Sequence, residues 1–116
     1  EIQYMTLQDL PDVLGPHGYT VLAVRKPPDY ETSHIPGAVS ADMDAAVNGD
    51  TAAGEEAMTA ATEGLDDTLV LVCYSGKKYA QASTNALSAI GYDMSKVYTL
   101  EGGFNAWSET YPDNVE

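Results

Sequence analysis

The segment Thr68-Leu69-Val70-Leu71-Val72 constrains this chain more than any other. Its apolar residues are consecutive rather than alternate, so a strand built from it must be covered on both faces. Thr20-Val21-Leu22-Ala23-Val24 has the same character. Strands of this kind belong to parallel sheets sandwiched between helices.

The remaining segments fit that frame. Ile2 to Met5 can form a short first strand. Thr6 stands at a helix N-cap position, with Asp9 at the acidic end and Leu7, Leu10 and Leu14 at helical spacing. Pro11 is expected to kink or shorten that helix, and Gly15-Pro16 to stop it. Arg25-Lys26-Pro27-Pro28 is expected to be loop, His34-Ile35-Pro36-Gly37 a turn, and Ala38-Val39-Ser40 a third strand. A helix is expected over Gly54 to Glu63, where Ala and Glu favour it and Gly64 can end it. Lys78 to Ile90, closed by Gly91, presents Ala82, Ala86, Leu87 and Ile90 as one apolar face. Lys96 to Leu100 is a last strand, and Gly102-Gly103 leads into a final helix through Trp107. Strands alternate with helices, which implies an α/β fold with a mostly parallel sheet, forming one domain over residues 1–116.

Charge excludes several functions. Five Lys and Arg face 18 Asp and Glu, a formal net charge of −13. A nucleic-acid surface needs a basic stripe, and this balance argues against one, as it does against anionic membranes. No run approaches the roughly 20 apolar residues of a membrane-spanning helix. A single cysteine permits no intrachain disulfide and no zinc site built on cysteine pairs, and the two separated His residues do not supply a metal site. The chain opens at Glu1 without an initiator Met and reads as a processed segment. These features do not fix the compartment: with the acidity they lean toward an exported bacterial protein of the periplasm or cell envelope, and the cytoplasm stays open.

In an open parallel sheet, ligands bind beyond the carboxyl ends of the strands. Cys73 sits at that end of the strongest strand, followed by Tyr74-Ser75-Gly76-Lys77-Lys78 and a helix. A strand–loop–helix passage turns backbone N–H groups and the positive helix end inward, which favours a thiolate and holds an anion beside it. Cys73 is therefore expected to be partly exposed, at the base of a pocket formed by the N–H groups of residues 74–78. Arg25, Lys26, Lys77 and Lys78 follow the two best strands and should share one edge of the sheet, a positive spot suited to a small anion. The bland alternative is an inert core cysteine. The glycine loop, the two lysines and the helix start favour a nucleophile.

These residues also match a family. Val24-Arg25 through Asp29-Tyr30 and His34-Ile35-Pro36-Gly37-Ala38 resembles the Asp-Val-Arg…Glu-Tyr-x-x-Gly-His-Ile-Pro-Gly-Ala stretch of rhodanese domains. Val70 to Gly76 is similar to their active-site strand and loop, and Leu100-Glu101-Gly102-Gly103-Phe104-Asn105-Ala106-Trp107 to their closing Leu-x-Gly-Gly-Phe-x-x-Trp. The resemblance implies a three-layer α/β/α fold whose five-stranded, mainly parallel sheet has strand order 1-5-4-2-3. It implies a sulfurtransferase in which Cys73 takes sulfane sulfur from an anionic donor such as thiosulfate, becomes a persulfide, and passes the sulfur to a thiol or cyanide acceptor. Tyr74, Ser75, Gly76, Lys77, Lys78 and Arg25 would bind the donor, and no cofactor is needed. His34, Gly102, Gly103 and Trp107 read as structural.

The chain departs from the family in three places. Ala23 stands where Asp usually supports the neighbouring Arg, Ser33 replaces a Gly, and Lys78-Tyr79 occupy positions that often hold Arg and Ser or Thr. A cysteine-dependent phosphatase would need an Arg at the position of Tyr79 to grip phosphate. A non-catalytic persulfide carrier or rhodanese-fold interaction module is the other rival, since fold does not fix function.

Overall fold

The computed structural model describes residues 2–15 and 18–116. Strands β1 (Tyr4–Met5), β2 (Tyr19–Ala23), β3 (Val39–Ser40), β4 (Thr68–Val72) and β5 (Val97–Leu100) form one sheet in the order β1-β5-β4-β2-β3. Every pairing is parallel. Helices α1 (Pro27–Thr32), α2 (Asp44–Val47), α3 (Thr51–Thr62), α4 (Lys78–Ala89) and α5 (Gly103–Thr110) make the crossovers and the final cover.

The two central strands are apolar throughout because both faces are buried. Leu22, Leu69, Leu71 and Cys73 face Met58 of α3 and Ala80 and Leu87 of α4. Val21, Ala23, Val70 and Val72 face Leu10, Phe104 and Trp107 on the opposite side. The period-2 alternation of a strand thus assigns each residue to one of two cores, giving three layers. Trp107 is fully buried and donates its indole N–H to the Asn114 carbonyl at 2.9 Å.

Three local expectations are corrected. The segment after Thr6 forms no α-helix: Thr6 accepts from the Asp9 N–H in a turn, and a short 3₁₀ turn spans Leu10–Val13 with Pro11 in it. The predicted stop at Gly15-Pro16 reaches outside the described residues. Pro27 and Pro28 open α1 rather than lie in a loop, since first-turn N–H groups have no intrahelical partner for proline to remove. Helix α3 begins at Thr51, three residues before the expected start, because the Asp50 carboxylate caps it by accepting from the Ala53 N–H at 3.1 Å.

Candidate active site

Strands β2 and β4 are neighbours in register, with Ala23 opposite Val72, so the segments that follow them leave the sheet side by side. Lys26 donates its backbone N–H to the Tyr74 hydroxyl at 3.2 Å across that junction. Cys73 comes directly after β4 and points toward α3 and α4. The chain then reverses at Gly76, whose φ of +83° suits glycine, and the Gly76 N–H donates to Cys73 Sγ at 3.0 Å. Helix α4 starts two residues later without any side-chain cap.

The loop is braced from behind. The Phe104 and Asn105 N–H groups at the start of α5 donate to the carbonyls of Cys73 and Tyr74 at 2.7 and 3.1 Å. The free N–H groups of one helix end are thereby used to hold the loop. On the far side, the Tyr4 hydroxyl donates to the Gly76 carbonyl at 3.1 Å.

Cys73 is only 1% exposed, which corrects the expectation of a partly exposed thiol at the base of an open pocket. The hollow of about 220 Å³ beside the loop is lined by Tyr4, Ser75, Gly76, Lys77, Glu101 and Gly102, and Cys73 is not on its wall. On the sulfur's own side of the sheet, Tyr79 packs against the core group that contains Cys73, and Tyr74 meets Tyr79 edge to face with ring centroids 5.4 Å apart. Burial, reinforced by the hydrogen bond to Asp44, pushes the Tyr79 phenol up to about 12. Burial and the bond to Asp29 push Tyr74 up as well.

The cations divide. Lys26, Lys77 and Lys78 are exposed at this edge of the sheet, as the strand ends predict. Arg25 is buried on the α5 side, opposite the cysteine side chain, and its guanidinium lies 3.9 Å from the Phe104 ring centre and 5.8 Å from that of Tyr74. Its Nη2 donates to the Ser33 carbonyl, while its Nε finds no partner. An Asp in place of Ala23 would offer an acceptor on that same face of β2. Burial lowers the Arg25 pKa, partly countered by Tyr74 and Asp29. His34 is structural, stacked on Tyr30 at 4.0 Å with Nδ1 2.8 Å from the Tyr30 carbonyl. Asp29 stands within the motif quoted above and Asp44 in none, and only the fold shows that they hold the two tyrosines.

A cysteine loop at the carboxyl edge of a parallel sheet, with a backbone N–H aimed at the sulfur and a helix start beyond it, is the arrangement of a thiolate-dependent group-transfer protein. The chain belongs to the rhodanese family: the rhodanese-like domain model matches residues 6–110. It is 32% identical over 102 residues to the thiosulfate sulfurtransferase GlpE of Pseudomonas savastanoi pv. phaseolicola, covering 88% of this chain and 84% of that protein. It is 33% identical, with the same coverage, to the thiosulfate sulfurtransferase GlpE of Pseudomonas syringae pv. syringae. In fold it is similar to the rhodanese-like domain of an Anabaena protein, with a TM-score of 0.73 at 21% identity over 100% of this chain and 80% of that one. The chain is a rhodanese-type sulfurtransferase. No helix among the described residues is long and apolar enough to cross a membrane.

Proposed function

We propose that Cys73 carries sulfane sulfur from an anionic donor such as thiosulfate to a thiol or cyanide acceptor. The Cys73 thiolate attacks the outer sulfur of the donor, the donor's sulfur–sulfur bond breaks, and its electron pair leaves with sulfite. Cys73 retains the outer sulfur as a persulfide. The acceptor then attacks that sulfur, and the electron pair of the new bond's predecessor returns to Cys73 as thiolate. No cofactor takes part.

One observation carries this reading: the Gly76 N–H at 3.0 Å from Cys73 Sγ. A donor fixed at that distance stabilises negative charge on the sulfur without reorganising during the reaction. Lys77 and Lys78, exposed beside the uncapped start of α4, supply attraction for an anion, with Tyr74 and Ser75 along the approach. Arg25 contributes from beneath Tyr74 rather than by touching the donor.

The test is the mass of the intact protein after incubation with thiosulfate. The expected result is the gain of one sulfur atom, lost again on adding a thiol or cyanide and absent in Cys73→Ser. Unchanged mass with the unsubstituted protein would refute the reading.

A further inference from the structure

Four side chains form a continuous arc beside the cysteine loop. Tyr74 donates to Asp29 of α1, Tyr79 donates to Asp44 of α2 at 2.7 Å, and the two rings meet at 75°. The arc therefore runs from α1 across the residue after Cys73 and the first turn of α4 to α2. Both carboxylates are half-buried. Each is held by a neutral phenol, and neither forms an ion pair with a lysine or arginine among the described residues. The Asp29 charge reaches across the arc, acting on Tyr79 as well as on its own partner Tyr74. This edge thus combines exposed cations that draw anions in with two half-buried carboxylates held by the tyrosines of the cysteine loop and of the first turn of α4, with Asp29 also in the field of Arg25.

We propose that Asp29 and Asp44 are specificity-determining residues that discriminate against a second negative charge on the sulfur donor. The inference rests on the sulfur-transfer reading above and concerns which donors it admits. Thiosulfate is a dianion. An arenethiosulfonate replaces one of its oxyanions with an aryl group, so it carries one charge and a ring able to pack on phenol faces. The chemistry is otherwise the same: the Cys73 thiolate takes the outer sulfur, the sulfur–sulfur bond breaks, and the electron pair leaves with the arenesulfinate. Total charge is conserved with either donor, so the two differ mainly in the charge brought to the arc.

The electrostatics give a sharp expectation. A potential acts on a dianion with twice the energy it exerts on a monoanion. Removing a carboxylate should therefore improve the dianion by the square of the factor gained by the monoanion. If benzenethiosulfonate gains about twofold, thiosulfate gains about fourfold, and salt compresses both.

The experiment measures kcat/KM for sulfur loading of Cys73 from thiosulfate and from benzenethiosulfonate, at low and high salt. It compares the unsubstituted protein with Asp29→Asn and Asp44→Asn. Asparagine keeps an acceptor for each phenol while removing the charge, and because the two sites lie on separate helices either variant can serve alone. The expected result is a thiosulfate-to-benzenethiosulfonate ratio about twofold higher in each variant at low salt, falling back at high salt. An unchanged ratio at low salt, with sulfur loading intact, overturns the role of the carboxylates and leaves the sulfur-transfer reading standing. Failure of both donors to load the unsubstituted protein overturns both.

Discussion

Gly103 lies so close to the Cys73 carbonyl that a β-carbon on it would sit 2.5 Å from that oxygen. Its φ of +63° disfavours any other residue independently of the contact. The same carbonyl accepts from the Phe104 N–H at 2.7 Å, so the loop and the start of α5 are fixed by backbone meeting backbone. Gly103→Ala is expected to destabilise the fold by about 2 kcal/mol or more and to slow sulfur loading, because relief of the clash must move the cysteine loop. Urea denaturation and the initial loading rate measure the two effects. A variant matching the parent in both would show that the loop does not depend on this contact.

Arg25 is buried against Phe104 with one unpartnered nitrogen, so its packing stabilises more than its charge does. Arg25→Ala removes both the packing and the bond to Ser33 and is expected to cost about 3 kcal/mol. Arg25→Met keeps most of the volume and removes a desolvated charge, so its cost should be about 1 kcal/mol or less. Equal losses in the two variants, measured by denaturant midpoint, would show that the guanidinium itself is what the site needs.

Tyr79 stays protonated up to about pH 12 in the folded protein, above the ordinary phenol value of 10.0. The sign follows from proton counting. Between those values the folded state holds a proton that the unfolded state has released, so stability declines as pH rises through that window. Below the lower value both states are protonated and the contribution is fully present. Tyr79→Phe is expected to flatten the fall in stability across this alkaline range and to remove a late-titrating phenol from an ultraviolet absorbance titration. Persistence of both features in the variant would assign them to another tyrosine.

The two central strands and α4 were legible because burial on both faces demands an unbroken apolar run, and a helix with one buried face repeats its apolar residues. The position of Cys73 at the sheet edge followed from the same run. Its burial did not, because it depends on α3 and α4 packing over that face of the sheet, with Tyr79 against the same core. Helix α1 was hidden by its two prolines, which read as breakers although the first helical turn tolerates them. Helix α2, of four residues, is too short to show a period. Arg25 follows its strand in the sequence much as the lysines follow theirs, so position alone groups it with them. Strand alternation from Ala23, which faces the α5 core, puts Arg25 on that side and so separates it from the lysines.

Lys77 and Lys78 remain as exposed cations beside the loop, with Lys78 beginning α4 and Lys77 preceding it. Lys78 takes the place of the residue that ends the family's loop, so it should weigh more. An ammonium on a flexible stem attracts a small tetrahedral anion without the geometric demand of a guanidinium fork. Such attraction acts on the bound donor and on the transition state alike, so its loss should appear mainly in KM. Lys78→Ala is expected to raise the thiosulfate KM about two- to fivefold at low salt, with a smaller fall in kcat, and Lys77→Ala to do less. High salt should shrink both differences, since exposed charges are screened. The acidity of the remaining surface makes the loss of one local cation easier to detect. Steady-state kinetics of both variants at two salt concentrations, with Cys73→Ser as the inactive baseline, give the comparison. If both lysine variants match the parent at low salt, the loop amides alone hold the donor.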